Sequence, residues 1–489
     1  MLRTYIKQAT AEGSYLRAKP SHPSKALFSH IPTMHFSTER YVSASALSEF
    51  SDMSSGDMGS PERLPPAYCE EGSIQPITAI QNERYDNNEV LQPGSVTVPA
   101  GVHSTALPKE HPNIPQGWTQ HIHPEGARYY VNSSEFVPIV TDASIVKPEI
   151  FQQLFASIEN VRILAGNCGF TLPATCELYL HVEEGRQGCR YYLVDHDTQT
   201  EFWLQEVQSE SLNLPDATSI EHLKHVLSEH YWTHVEYFPH RAVGPRLCQE
   251  LAEILYHATA DQMTSDSSTF PYDAEQCTKF LHLLEAKTAD NVYMICTIAR
   301  IWSSIFRHRF TQFHGEAHAR LCRFQQRFVP FAHNGRLIRL CSVLLFGTPH
   351  RLSKELELQY IDGVVYHMHW HKFMSSLKKN WLFSSAVSAT LLLASVCLRG
   401  LAAGTISQIL ALLSNGTSLG ALATSVGLLY FHAAAEDMAA DAVAEHLSAI
   451  ESHSCGFVLT AVTYSLPQAL IFWSMLAIAL HIVLIAATG

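Results

Sequence analysis

The chain lacks the paired cysteines that a disulfide framework or a zinc knuckle requires. Its 11 cysteines are scattered without a CxxC pair and read as reduced, mostly buried thiols. It also lacks a basic stripe. With 33 Lys and Arg against 46 Asp and Glu, the formal charge of −13 leaves no run of cations with interleaved aromatics to neutralise phosphates, which argues against a nucleic-acid partner. No glycine-rich phosphate loop, GxSxG elbow or Cys/His pair in a supporting context occurs, so no catalytic residue and no cofactor is expected and the chain does not read as an enzyme. His314-Gly315-Glu316-Ala317-His318 is not the metalloprotease HExxH, where the Glu follows the first His directly. Residues 1–30 hold no apolar run of the kind a signal peptide carries. Arg3, Lys7, Arg17, Lys19 and Lys25 against Glu12 give them a faint transit-peptide character.

Long apolar runs are abundant at the C-terminal end. Trp381 to Leu398 and Phe457 to Gly489 contain no charged side chain, apart from His481 as a group ionisable near neutral pH. Since ~20 apolar residues cross a bilayer, the first run barely suffices and the second has length to spare. Leu401 to Ala435 is uncharged but weakened around Ser414-Asn415-Gly416, so two or three spans are open, Thr417 to Ala435 being the better third. Lys372, Lys378 and Lys379 precede the first run and favour a cytosolic N-terminal region. The acidic stretch from Glu436 to Glu451 reads as a solvent-facing helical linker.

From about Ser37 to Pro108 the chain is rich in Ser, Pro, Gly, Asn and Glu without apolar periodicity, and disorder is expected. Within it, Leu64-Pro65-Pro66-Ala67-Tyr68 is a PPxY motif. Pro65 and Pro66 preset a polyproline-II backbone and Tyr68 would fill a pocket, the ligand chemistry recognised by WW domains of HECT-type ubiquitin ligases; an uncommitted linker is the plain alternative.

A receptor-like pattern follows. Ile114-Pro115-Gln116-Gly117-Trp118 is succeeded eleven and twelve residues later by Tyr129 and Tyr130, then Val131-Asn132, with His123-Pro124-Glu125-Gly126 as turn chemistry between two strands. This resembles the first half of a WW domain, a three-stranded antiparallel sheet. The resemblance implies a structural face of Pro115, Trp118, Tyr130 and Asn132 and a ligand face containing Tyr129. The family's second Trp position is Val140, its His position Ser133 and its Thr position Pro138, so the proline groove lacks walls. A second stretch, Cys189 to Trp203, is similar to the later WW strands. There Tyr192, His196 and Trp203 stand at the spacing of the binding Tyr, His and second Trp, without an opening Trp. A groove and a half-buried hairpin core are the two readings. With Tyr231 to Pro239 and the apolar C-terminal region, residues 110 to 489 resemble the WW-domain-containing membrane proteins of mushroom-forming fungi, which implies architecture without an assigned activity.

Elsewhere the spacing is helical. Lys147 to Ala165 carries Ile150, Leu154, Ile158 and Val161 on one face, with Pro148 in the first turn. Asp216-Ala217-Thr218 can start a helix that Pro239 stops, and Asp273 begins a long run through Trp302 and Ile305. His367, His369 and His371 would share a face on a strand and spread on a helix, and read as interfacial residues.

The expected fold is mainly α with small antiparallel β modules. It comprises a disordered region over 1–108, a degenerate WW domain over 109–145, a linking helix over 146–170, a second WW-like hairpin over 171–210, a helical domain over 211–380 and a membrane domain over 381–489. The expected function is a membrane-anchored interaction or scaffold protein whose partners are the lipid bilayer and other proteins. The alternatives are an adaptor or substrate of a WW-bearing HECT-type ligase through the PPxY motif, and a membrane enzyme of unknown chemistry.

Overall fold

The computed structural model describes residues 74–82, 84, 92–95, 97, 114–169, 171–182, 188–285, 291–328, 342–400, 404–452 and 455–488. Pro65, Pro66 and Tyr68 lie outside them.

Strands β2 (Trp118–Ile122) and β3 (Arg128–Asn132) form the hairpin that the turn residues announce. Gly126 sits at φ +99°, where a side chain would be strained, and donates its N–H to the His123 carbonyl at 2.8 Å. Strand β4 (Ile139–Thr141) completes an antiparallel meander with β3. The chain then crosses through α1 (Pro148–Asn167) to β5 (Cys176–His181), which pairs parallel to β4. Strand β6 (Cys189–Asp195) is antiparallel to β5, and β7 (Thr200–Phe202) pairs with the second half of β6. The first half of that same β6 edge is taken, in parallel, by β1 (Ile74–Pro76), a strand inside the stretch whose composition predicts disorder. The two β regions expected separately thus form one mixed sheet of seven strands.

Both faces of this sheet are covered by helix. Trp118, Tyr130, Leu178 and Tyr191 pack against Ile150, Leu154, Ile158 and Val161 of α1. Tyr129, Val140, Tyr179 and Tyr192 turn the other way, towards Trp232 and Val235 of α2 (Ile220–Tyr237) and Phe238 just beyond it. Two-sided burial explains why β5 and β6 are apolar almost without interruption. Helix α2 is capped by Ser219, whose hydroxyl accepts the His222 N–H at 2.9 Å, one residue later than Asp216-Ala217-Thr218 suggests. After α3 (Pro245–Thr264), the run expected from Asp273 divides into α4 (Ala274–Glu285) and α5 (Val292–Thr311), because Asn291 caps a new helix by accepting the Tyr293 N–H. Trp302 of α5 stacks on Trp232 of α2, with ring centroids 5.6 Å apart.

The chain ends in α6 (Thr348–Glu357), α7 (His367–Arg399), α8 (Thr405–Phe431), α9 (Ala440–Ile450) and α10 (Val458–Thr488). Helices α7, α8 and α10 are long and apolar enough to cross a membrane. Small polar residues line their seams: the Ser418 and Ser474 hydroxyls meet at 2.6 Å, and Ser407 meets His481 Nε2 at 2.7 Å. Pro467 sits inside α10 without ending it. The acidic α9 is no free linker, because Val443 and Leu447 are buried in a cluster with Leu352, Leu356 and Trp370. His367 and His371 stack one helical turn apart, as a helix rather than a strand requires.

Candidate functional site

Strand β5 places a carboxylate on the face that it shares with Val140, Tyr179, Tyr192 and Val194. Glu177 alternates with Cys176 and Leu178, so its side chain points into the layer between sheet and α2, where it is 0% exposed. Three imidazoles meet it there. His234 Nε2, from the last turn of α2, lies 3.0 Å from Oε1; His240 Nε2, just beyond α2, lies 3.1 Å from Oε2; and His196 Nε2, from the β6–β7 turn, lies 3.3 Å from Oε2. Arg241 Nη1 stands 3.9 Å from Oε2.

An ionised carboxylate only accepts, so all three imidazoles carry their proton on Nε2 when they donate to it. Each Nδ1 then becomes an acceptor if its ring is neutral. The Tyr192 hydroxyl donates to His234 Nδ1 at 3.0 Å and the Tyr231 hydroxyl donates to His196 Nδ1 at 3.2 Å. His240 Nδ1 is buried with no protein hydrogen-bond partner. Tyr192–His234–Glu177–His196–Tyr231 is therefore a continuous hydrogen-bonded chain, and His240 is a branch with one open nitrogen. Beside it lies a cavity of about 220 Å³, lined by His196, Tyr231, His240, Arg241, Phe238 and Leu247 among others. Among the described residues no group of three or more His, Cys, Asp or Glu side chains is arranged to hold a metal ion. Every donor in the chain points inward to Glu177, so the arrangement can hold a negative charge out of water.

Burial by itself would push the Glu177 carboxyl up, but the His240 charge and the three imidazole hydrogen bonds outweigh it and hold the group well below the usual carboxylate range. His234 moves down because burial outweighs the pull of Glu177. A second pair behaves differently. Glu201 accepts from His230 Nδ1 and from the Ala79 N–H, both at 2.7 Å, yet burial still raises its carboxyl above the ordinary value.

These shifts predict acid lability. A histidine whose folded value is depressed contributes stability that is complete above its unfolded value of about 6.5 and is lost as pH falls below it. His308 on α5, with Nε2 held 2.6 Å from the Thr269 carbonyl, is pushed down to about 4 by burial. Between pH 6.5 and 5 it alone should remove about 2 kcal/mol. His234 adds in the same direction, while Glu201, raised, partly offsets both. Glu177, depressed, contributes loss only below the ordinary carboxylate range. Denaturant unfolding of the purified protein at pH 7.5 and 5 checks this: His308→Asn should reduce the difference between the two pH values, and an unchanged difference would contradict the assignment.

The candidate residues fall into two layers. Trp118, Tyr130 and Asn132 sit on the β2–β3 hairpin, Trp118 and Tyr130 in the core beneath α1. The Pro115 carbonyl accepts the Trp118 N–H at 3.2 Å, and Asn132 Oδ1 accepts the Ser134 N–H at 2.9 Å. On the opposite face Tyr129, 2% exposed, lies under Phe238 at a ring distance of 5.4 Å. Tyr192, fully buried, stacks on Tyr179 at 4.7 Å. Tyr192 and His196 are joined through the Glu177 cluster. Trp203 is elsewhere, its indole N–H donating to the Ile77 carbonyl at 2.7 Å beneath the segment that follows β1. The sheet face that carries Tyr129 and Tyr192 is thus filled by this chain's own α2 and by Ile77 and Ala79.

Glu177, His234 and His240 were not singled out from the sequence. The available signals were a lone Glu in the apolar strand Cys176-Glu177-Leu178-Tyr179-Leu180 and the i,i+4 pair His230 and His234 on an otherwise buried stretch of helix. Compared with known proteins, the chain matches no family model, no curated protein and no solved structure.

Proposed function

We propose that this is a membrane-anchored interaction protein that presents a proline-rich ligand motif, Pro65-Pro66-Ala67-Tyr68, to WW domains of partner proteins such as HECT-type ubiquitin ligases. The observation that carries the reading is the filled face: Tyr129 and Tyr192 are buried under α2, and Trp203 is engaged by Ile77. A chain whose WW-like face is occupied from within offers a ligand better than a receptor. Tyr68 precedes Ile74 by six positions, so the edge strand β1 tethers the motif within about 20 Å of the sheet.

The β2–β3–β4 meander, with Trp118 and Tyr130 on one face and Tyr129 on the other, supports a WW-derived origin and the resemblance to the fungal WW-containing membrane proteins. Lys372, Lys378 and Lys379, before the charge-free stretch of α7 that begins at Trp381, against Arg399 at its end, favour a cytosolic N-terminal region. With three spans the C-terminal end of α10 then lies on the opposite side. The test is binding of the full chain to isolated WW domains of HECT-type ligases. Tyr68→Ala should weaken binding by ~30-fold or more, the loss of about 2 kcal/mol typical of a central anchor. Equal binding by both proteins would sink the proposal.

The Glu177 cluster beside its cavity favours a second reading, a site that binds or protonates a small ligand. His240→Phe would then abolish a ligand-induced rise in unfolding temperature, whereas a purely structural cluster would show no such rise with any ligand.

A further inference from the structure

We propose that the turn leading into α6 is a re-entrant wedge, inserted among the acyl chains of one bilayer leaflet beside α10. Its depth follows from what it touches. The ion pair of Lys378 with Glu436, at 3.0 Å, marks the membrane surface one turn before Trp381, and Trp381 packs on Tyr464 inside the bundle at 5.2 Å between ring centroids, which puts Tyr464 at the same level. Trp473 lies nine residues beyond Tyr464 in α10, about 13 Å further along the axis and so within the hydrocarbon. There its indole N–H donates to the Leu344 carbonyl at 3.0 Å, and Phe346 packs on Phe472 and Trp473 at 5.3 and 5.4 Å. From this point α6 climbs back towards the surface, with Leu352 and Leu356 joining Phe457 and Ala461 at the start of α10.

The turn is built for a place without water. In hydrocarbon every backbone group must find a partner in the protein. Gly347 N–H donates to the Ser342 carbonyl at 2.7 Å, and the Thr348 N–H and hydroxyl both donate to the Leu345 carbonyl, at 3.2 and 2.7 Å; with Trp473 on Leu344, the carbonyls of Ser342, Leu344 and Leu345 are all satisfied. Gly347 supplies the reversal at φ +75°. The side chains, by contrast, face outwards: Val343 is 79% exposed, Leu344 55% and Phe346 48%, continuous with exposed Phe472, Leu476 and Leu480 of α10. The stretch from Ser342 to Pro349 carries no charge and is too short to span, and it is followed by Arg351 and Lys354, cations suited to headgroup phosphates.

The test places the photocrosslinker p-benzoylphenylalanine at Val343 in the full chain, reconstituted into phosphatidylcholine vesicles, with the same substitution at Leu476 on α10 and at Tyr256 on α3 as references. Lipid adducts at 343 should match those at 476 and exceed those at 256 by at least ~10-fold, as burial in hydrocarbon requires. Adduct at 343 as low as at 256 would show a water-exposed turn, and crosslinks to a second copy of the chain would show a protein interface; either overturns the proposal. Phe346→p-benzoylphenylalanine gives an independent reading if the Val343 variant does not elute as the parent protein does.

Discussion

Glu177→Gln is expected to destabilise the sheet and helical region by about 3–5 kcal/mol, the usual consequence of breaking a buried charged cluster from one side. The substitution keeps the volume of the side chain but replaces an acceptor-only group by one that has a single oxygen and an NH₂ donor. Three imidazole N–H groups and Arg241 face that position at 3.0 to 3.9 Å, so at least one buried donor loses its acceptor and another meets a donor. Denaturant unfolding followed by the fluorescence of the stacked Trp232 and Trp302, which lie in the same core, would measure it. Arg241→Ala serves as the contrast. Its side chain is 44% exposed, and its removal should cost no more than about 1 kcal/mol. Equal effects of the two substitutions would show that the carboxylate is not the centre of the cluster.

Asp362→Asn should cost a similar ~3–5 kcal/mol at a different place, the joint between the helical region and α7. Arg320 and Asp362 pair with both side chains 1% exposed, and Asp362 also accepts the backbone N–H of Arg327 at 2.7 Å and of Phe328 at 3.3 Å. Asp362 sits at φ +54°, a conformation that Asn tolerates as well as Asp, so the variant removes the charge without adding backbone strain. The Arg320 guanidinium would remain buried without a counter-charge. Because the pair bridges residues 320 and 362, proteolysis in the 313–328 segment should accelerate before the sheet unfolds. Cleavage there at the parental rate would contradict the role given to the pair.

Local chemistry made part of this structure legible in the sequence. The His123-Pro124-Glu125-Gly126 turn, the Ile150-Leu154-Ile158-Val161 face of α1 and the uncharged C-terminal runs each depend on residues within one or two turns of each other. What escaped was set by distant pairing. Strand β1 meets β6 more than a hundred residues later, and nothing in Ile74-Gln75-Pro76 distinguishes it from the polar segment around it. The parallel pairing of β4 with β5 merges two hairpins that read separately, since neither strand records its neighbour. The Glu177 cluster needs β5, the β6–β7 turn and the end of α2 together, and a single Glu in an apolar strand carries no hint of which imidazoles will surround it. Tyr192 and His196 were found through a WW-like spacing, and in the fold they contact the chain's own histidines and tyrosines. The split at Asn291 was missed because a capping residue inside a long amphipathic run looks like any other polar position.

The most direct test of the membrane-anchored, cytosol-facing arrangement is carbonate extraction of membranes from cells expressing the full chain, combined with protease treatment of intact vesicles carrying a tag at the N-terminus. Retention in the carbonate-washed pellet together with loss of the tag is the outcome the three apolar helices and the lysines before the charge-free stretch of α7 require. Release into the supernatant would mean that α7, α8 and α10 pack against protein instead of lipid, and a protected tag would place Tyr68 on the wrong side of the membrane for any cytosolic WW domain.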